Sequence, residues 1–171
     1  MEIVPTTLKD ALLIKLKAHG DPRGFFKEVF RENEYAKISG APFVQENVSC
    51  SSRNVLRGLH YDPPMAKLVQ VIYGRTFHVI VDLRPESPTY LKWESFDLSG
   101  DTHTQVFVPA GFANGFYVVS ELAYVHYKQT TYYNPATERI LRWNDPVVGV
   151  KWPTNDPTLS ERDRTAPDYR S

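Results

Sequence analysis

Short apolar runs with alternating polar positions recur along the chain, and glycine, proline, aspartate or asparagine separates them. Such spacing is typical of an all-β sandwich or barrel, whereas βαβ units need long helical segments between strands. The pattern predicts strands over residues 12–16, 25–30, 43–49, 67–73, 76–83, 93–98, 104–108, 116–119 and 123–131.

Helix signals are few and short. Asn33 is expected to cap a helix over residues 34–38, and Ser160 is expected to cap a turn with Asp163 at its third position. No internal repeat, low-complexity tract or linker interrupts the pattern. We therefore expect one domain over residues 1–171.

Composition narrows the function classes. The 171 residues carry a formal net charge of zero, which argues against a nucleic-acid surface or a polybasic membrane patch. The N-terminus has no signal-peptide pattern, and no run approaches the roughly 18 apolar residues of a membrane span. Cys50 is the single cysteine, so a cytoplasmic setting is expected, with Cys50 as a small, half-buried apolar residue.

The tetrapeptide Arg57-Gly58-Leu59-His60 offers a guanidinium, a close-approach glycine and an imidazole at the end of one extended segment. Imidazole is the side chain most easily tuned to take a proton near neutral pH. With Tyr127 as an acid and Asp163 to orient the base, this set is suited to moving protons on and off carbon. The alternative is a structural histidine whose hydrogen bonds are satisfied within the fold.

Other polar residues have two interpretations each. Arg23, in a turn, either stabilises that turn or faces an anionic group, with Phe26 as a stacking wall. Gln45 and Asn47 share one strand face, where they either bind a polar ligand or meet solvent. Lys67 is either a solvated strand end or a cation directed at an oxyanion.

The segment from Pro109 to Phe116 resembles the second half of a cupin signature, with Asn114 where a histidine often lies. Metal-binding cupins also need a His-x-His pair, which this sequence lacks. We therefore expect no metal site. We also expect no other cofactor, because moving a proton on and off carbon requires no redox group.

Eight motifs together resemble one family. In chain order they are Asp-Pro-Arg-Gly-Phe-Phe, Phe-Val-Gln-Glu-Asn, Val-Leu-Arg-Gly-Leu-His-Tyr, Lys-Leu-Val-Gln-Val, Val-Asp-Leu-Arg-Pro-Glu-Ser-Pro-Thr-Tyr, Val-Pro-Ala-Gly-Phe-Ala-Asn-Gly-Phe, Trp-Asn-Asp-Pro and Leu-Ser-Glu-Arg-Asp. Along nearly its whole length the chain resembles the dTDP-4-dehydrorhamnose 3,5-epimerase family.

The resemblance implies a metal-free cupin jelly roll with a few short helices. It also implies a homodimer that takes a nucleotide-diphosphate 4-keto-6-deoxy sugar and has neither a nucleic-acid nor a membrane partner. His60 matches the base, Asp163 its carboxylate partner, Tyr127 the acid on the opposite face and Lys67 the cation at the keto oxygen. The ligand-contacting positions are matched by Arg23, Phe26, Glu28, Gln45, Asn47, Arg57, Asn114, Tyr133, Glu138 and Arg162.

One departure keeps alternatives open. The family usually has histidine where this chain has Asn114, and asparagine cannot change charge near pH 7. The alternatives are a 3-epimerase, an epimerase for a GDP- or CDP-linked 4-keto hexose or heptose, a 3,4-ketoisomerase, and a sugar-binding cupin without catalysis.

Overall fold

The computed structural model describes residues 1–169. The expected domain of residues 1–171 therefore ends with two residues, 170 and 171, that lie outside the described part. Within residues 1–169, neither helix has the length and apolar character needed to cross a membrane.

Strands dominate the described chain, and two short helices interrupt them. In chain order the elements are β1 (Glu2–Pro5), β2 (Leu12–Lys15), β3 (Ala18–Asp21), β4 (Gly24–Lys27), α1 (Glu32–Ser39), β5 (Gln45–Ser52), β6 (Leu56–Tyr61), β7 (Lys67–Tyr73), β8 (Arg75–Asp82), β9 (Trp93–Ser99), β10 (Thr104–Val108), β11 (Phe112–Val118), β12 (Leu122–Gln129), β13 (Arg139–Ile140) and α2 (Glu161–Arg164).

Two antiparallel sheets form the body of the fold. The six-stranded sheet has the order β1-β2-β10-β7-β12-β5, and the five-stranded sheet has the order β13-β6-β11-β8-β9. Strands β3 and β4 form a separate hairpin. This arrangement confirms the predicted all-β, cupin-type jelly roll with a few short helices.

The main core lies between the two sheets, because each contributes one apolar face. Val69 and Val106 from the six-stranded sheet pack in one cluster with Ile80, Leu98 and Phe116 from the five-stranded sheet. Fully burying an aliphatic side chain of this size contributes about 1.5–3 kcal/mol. Two smaller clusters cover the outer faces, one beneath α1 and one beneath the segment around Leu141 and Val148, so the central strands are buried on both sides.

A close approach of two glycines fixes the strand that carries the predicted base. A Cβ on Gly58 would lie 2.6 Å from the Cα of Gly115, so the predicted close-approach role of Gly58 is confirmed. Gly58 also has φ of +132°, a conformation that L side chains rarely adopt. In this register His60 on β6 pairs with Asn114 on β11.

Two local predictions are wrong. The first helix begins at Glu32, with Arg31 at the N-cap position and no capping side chain, so Asn33 lies inside the helix and does not cap it. Cys50 is exposed because it lies on the outer face of β5, the strand at one edge of the six-stranded sheet. The predicted Ser160 cap is confirmed, since the Ser160 side chain accepts a hydrogen bond from the backbone N–H of Asp163.

Candidate active site

A cavity of about 280 Å³ opens between the two sheets and collects most of the predicted site residues. Its wall combines residues of the six-stranded sheet, of the five-stranded sheet and of the segment after β12, residues 130–169, which we call the C-terminal segment. These are Ser49, Lys67, Val69, Val125 and Tyr127 from the first, Arg57, His60, His78, Asn114 and Phe116 from the second, and Tyr133, Glu138 and Arg162 from the third.

Strand register explains why residues far apart in sequence face one cavity. Val69 pairs with Tyr127 in neighbouring strands, and directly paired residues of an antiparallel sheet point to the same face. Lys67 lies two residues before Val69 and shares that face, since side chains alternate along a strand. Tyr127 and His60 therefore approach the cavity from opposite sheets.

His60 is bound to a buried carboxylate. Its Nε2 lies 2.6 Å from Oδ1 of Asp163, whose side chain is 4% exposed, whereas the His60 side chain is 27% exposed. The nearly dry carboxylate thus holds one ring nitrogen, and Nδ1 is left for a ligand. This is the geometry of a base with an orienting acid.

Helix α2 positions Asp163 for this contact. Ser160 donates a hydrogen bond to Oδ2 at 2.7 Å and accepts one from the Asp163 backbone at 3.1 Å. Burial raises the pKa of Asp163, but the hydrogen bonds from His60 and Ser160 outweigh it, and the pKa lies below the usual value. The carboxylate is therefore charged at neutral pH and stabilises an imidazolium at His60.

Lys67 provides a cation inside the cavity. Its Nζ donates to Oδ1 of Asn114 at 3.2 Å and lies 5.9 Å from the centre of the Tyr127 ring. Burial lowers the pKa of Lys67, and the charges of Glu138 and Asp62 oppose this only in part. Asn114 thus accepts from the cation without neutralising its charge.

Tyr127 keeps its proton in this setting. Burial raises the pKa of its phenol, and the negative charge of Glu138 adds to the rise. A phenol that stays protonated on the wall opposite His60 is able to donate a proton to a ligand between them.

An ion pair lies at the cavity wall contributed by the C-terminal segment. Nη1 of Arg162 lies 2.5 Å from Oε2 of Glu138, and Tyr133 lines the same wall. Arg57 also lines the cavity, where its Nε donates to Oγ of Ser51 at 2.9 Å. These four residues, predicted to contact the ligand, therefore line the same cavity as His60, Lys67 and Tyr127.

Gln45 and Asn47 lie beside the cavity and do not belong to its described lining. Nε2 of Gln45 donates to Oδ1 of Asn47 at 3.2 Å, and Oε1 of Gln45 accepts from the Tyr133 backbone at 2.9 Å. Asn47 pairs with Tyr127, so it shares the inward face, whereas the alternation had predicted only that Gln45 and Asn47 lie on one face.

Arg23, Phe26 and Glu28 are not brought to the cavity by the single chain. The Arg23 side chain is 89% exposed and paired with Asp21, and Phe26 is 73% exposed on the β3–β4 hairpin. Glu28 follows that hairpin and is paired with Arg31. Their contact with a ligand stays a prediction.

Sequence reasoning missed five cavity residues, of which Val69 and Val125 are apolar wall positions and the other three are polar or aromatic. Ser49 follows Gln45 and Asn47 at the same two-residue spacing, and that alternation was the signal for it. Phe116 follows Asn114 on β11 in the same way. His78 lies in a valine- and isoleucine-rich stretch that reads as plain core, so no pattern pointed to it.

A larger and more open groove of about 920 Å³ lies around the turn between β7 and β8. Among its charged lining residues, Arg75 and Asp97 are bound to each other, and Glu121 is paired with Arg53. Among residues 1–169, no three His, Cys, Asp or Glu side chains come together as a metal-binding group.

Comparison with known proteins identifies the family. The sequence profile described as dTDP-4-dehydrorhamnose 3,5-epimerase matches residues 5–171. A dTDP-4-dehydrorhamnose 3,5-epimerase of Neisseria gonorrhoeae is 47% identical over 167 residues, which are 95% of this chain and 51% of that protein. The chain belongs to the dTDP-4-dehydrorhamnose 3,5-epimerase family. The chain spans about half the length of this Neisseria relative.

Solved structures of family members superpose closely. The Legionella pneumophila 3,5-epimerase, in complex with dTDP-4-keto-L-rhamnose, gives a TM-score of 0.92 at 39% identity and covers 99% of both chains. A 3'-monoepimerase of Streptomyces bikiniensis, in complex with dTDP-quinovose, gives 0.89 at 33% identity, covering 96% of this chain and 86% of the other. The resemblance inferred from the motifs is confirmed, and with it the expectation of an isomerase of the epimerase type.

Proposed function

We propose that the chain inverts C3 and C5 of a dTDP-linked 4-keto-6-deoxy sugar. The observation that carries this proposal is the His60–Asp163 pair on one side of the cavity and the protonated Tyr127 on the other, with the Lys67 cation between the same sheets. A ketone at C4 acidifies the hydrogens on C3 and C5, so one base and one acid on opposite faces suffice to invert either carbon.

In the first step Nδ1 of His60 takes the proton from C3. The electrons of the C–H bond form the C3–C4 double bond, and the electrons of the carbonyl π bond move to the oxygen. Asp163 stabilises the imidazolium through its 2.6 Å contact with Nε2. Because that carboxylate is nearly dry, its charge is little screened by water.

Lys67 stabilises the enolate oxygen. Within the described residues its Nζ donates a side-chain hydrogen bond to the neutral Oδ1 of Asn114 only, so its positive charge remains for the oxyanion. Arg57 adds a second cation at the cavity wall. No redox change occurs in this step, and the proton is the only group transferred.

In the second step Tyr127 delivers its proton to C3 from the opposite face and inverts the centre. The electrons of the C3–C4 double bond form the new C–H bond, and the ketone is restored. His60 then gives its proton to water and Tyr127 takes one from water, and the same steps at C5 complete the reaction. The raised pKa of Tyr127 keeps the donor loaded at neutral pH. His60, Tyr127, Asp163 and Lys67 are thus the proposed catalytic residues.

The nucleotide and the assembly belong to the same proposal. We assign Arg23, Phe26 and Glu28 to the nucleotide of a neighbouring copy in a cytoplasmic homodimer of single-domain subunits. The support is the β3–β4 hairpin, whose Phe26 is 73% exposed, and the edge of β5, which pairs with no strand other than β12 within residues 1–169. Gln45 and Asn47 lie beside the cavity on that edge strand, where a nucleotide bound across the dimer contacts them.

A 3-epimerase that leaves C5 unchanged is the second candidate. It is supported by Asn114, which stands where the resemblance leads us to expect histidine, and by the fold that the chain shares with a 3'-monoepimerase at a TM-score of 0.89. GDP- or CDP-linked sugars are the alternatives for the nucleotide.

Proton NMR in D2O with a panel of dTDP-, GDP- and CDP-linked 4-keto-6-deoxy sugars tests the proposal. We expect deuterium at C3 and C5 of the dTDP substrate and inversion of both. Exchange at C3 alone supports the 3-epimerase, and binding without exchange of any substrate supports a sugar-binding protein without catalysis.

A further inference from the structure

His78 is a buried histidine without a hydrogen-bonding partner, and it lies at the substrate cavity. Its side chain is 0% exposed, and neither Nδ1 nor Nε2 has a partner among the described residues. The ring stacks on Phe116 at a centroid distance of 6.4 Å and an interplanar angle of 14°. Both residues belong to the cavity wall.

An unpaired buried imidazole is costly to the fold. Burial removes the donor and the acceptor of the ring from water, and apolar side chains of the same shape fill such positions at lower cost. Strand β8 uses valine and isoleucine at Val79, Ile80 and Val81, so the local structure does not require a histidine. A hydrogen-bonding partner for the ring nitrogens must therefore come from outside the described chain.

The ring stays neutral. Burial lowers the pKa of His78 to about 3, and the positive charge of Lys67 acts in the same direction. A neutral imidazole has one N–H donor and one lone-pair acceptor. A hydroxyl group, which donates and accepts, is the complement of either nitrogen.

We propose that His78 is a sugar-binding residue whose neutral imidazole forms a hydrogen bond with a hydroxyl group of the sugar when the cavity is filled. The inference rests on the proposed function, since it takes the ligand to be a nucleotide-linked sugar. It adds to that function a contact from the five-stranded sheet that is distinct from the proton transfers of His60 and Tyr127.

Thr76 provides a matched control. It lies two residues before His78 on the same face of β8, is also 0% exposed, and its Oγ1 also has no partner among the described residues. Thr76 is absent from the described lining of the cavity. Thr76→Val and His78→Phe thus both remove an unpaired buried polar group, but only the second removes one that reaches the ligand.

Calorimetric titration with dTDP and with dTDP-rhamnose tests the proposal. The rhamnose compound has a hydroxyl in place of the 4-ketone and does not react. For His78→Phe we expect dTDP to bind as in the wild type and dTDP-rhamnose to bind about tenfold more weakly, the loss expected for one hydrogen bond in a dry site. Thr76→Val should bind both ligands as the wild type does.

A stability measurement separates binding from folding. Removing either unpaired group should leave the melting temperature of the free protein unchanged or raise it by about 2–4 °C. His78→Gln, which keeps a donor and an acceptor, should retain most of the affinity for dTDP-rhamnose. In wild-type protein, the 15N signals of the His78 ring should shift with dTDP-rhamnose and not with dTDP, and this readout needs no folded variant.

Unchanged dTDP-rhamnose affinity in His78→Phe, or an equal loss for dTDP and dTDP-rhamnose, would overturn the proposal in favour of a packing role. Unmoved 15N signals on saturation with dTDP-rhamnose would do the same. Failure of the wild type to bind any nucleotide-linked sugar would instead refute the proposed function, and this inference with it.

Discussion

Replacing Asp163 with asparagine tests how much of the proton transfer depends on one buried charge. The substitution keeps the size of the side chain and removes the negative charge that faces Nε2 of His60 at 2.6 Å. Because the Asp163 side chain is only 4% exposed, water cannot take the place of the carboxylate. The imidazolium formed on abstraction would then lose its counter-charge.

The magnitude follows from that contact. A hydrogen bond to a charged group is worth about 1.5–3 kcal/mol, which corresponds to about a 10- to 150-fold decrease in rate. An asparagine can also turn its NH2 toward His60 and favour the tautomer that cannot accept the proton, which adds to the loss. We therefore expect exchange at C3 to slow by at least tenfold in Asp163→Asn.

The assay is the initial rate of deuterium incorporation at C3 in D2O, measured with saturating substrate. Thermal unfolding of each variant shows whether α2 remains folded. Asp156→Asn is a suitable control, since Asp156 is exposed in the same C-terminal segment and, within residues 1–169, forms hydrogen bonds through its backbone only. Exchange in Asp163→Asn within threefold of the wild type would refute the orienting role of Asp163.

Three further outcomes are expected. Tyr127→Phe should still catalyse deuterium incorporation into the sugar at one or more positions. Its yield of inverted sugar, measured by NMR, should fall by about 10²–10⁴-fold because the proton donor on the opposite face is lost. Wild-type inversion at both carbons would exclude Tyr127 as the donor. Burial lowers the pKa of Lys67, so the alkaline limb of the pH profile of kcat should lie below the ordinary lysine range. Lys67→Arg should move this limb to higher pH because arginine stays charged. An unmoved limb would assign it to another group. Burial raises the pKa of Asp82, but hydrogen bonds from Arg84, Ser87 and Thr89 outweigh it and hold the pKa at about 2. Stability from this group is therefore present above pH 4 and lost toward pH 2, by about 2 kcal/mol in denaturant titrations. Asp82→Asn should lack this part of the acid sensitivity, and an unaltered pH dependence would contradict the assignment.

Most of the two sheets was predictable because buried strands leave a strong apolar pattern. The predicted segments 67–73 and 104–108 coincide with β7 and β10. Short peripheral strands escaped prediction, since β1 and β3 have little buried apolar surface to mark them. The predicted start of α1 was wrong because the prediction relied on a capping side chain at Asn33. The helix begins at Glu32 without a capping side chain.

The proximity of the candidate residues was predictable where chemistry and motif agree, and not where packing decides. His60, Lys67, Tyr127 and Asp163 are reactive residue types in recognisable segments, and the structure gathers them as the motifs suggested. His78 lies in no recognisable motif, and it attracts attention only because its ring nitrogens have no hydrogen-bonding partner among the described residues. Strand alternation predicts which face a residue takes, but not whether its polar atoms are paired.

The most direct test of the central claim is deuterium exchange in His60→Asn, because a single base is proposed to serve both carbons. With dTDP-4-keto-6-deoxyglucose in D2O, proton NMR should show no enzyme-dependent exchange at C3 or at C5, while thermal unfolding and dTDP binding confirm a folded variant. Substantial residual exchange at C3 in that folded variant would contradict the account, since another group would then be the base.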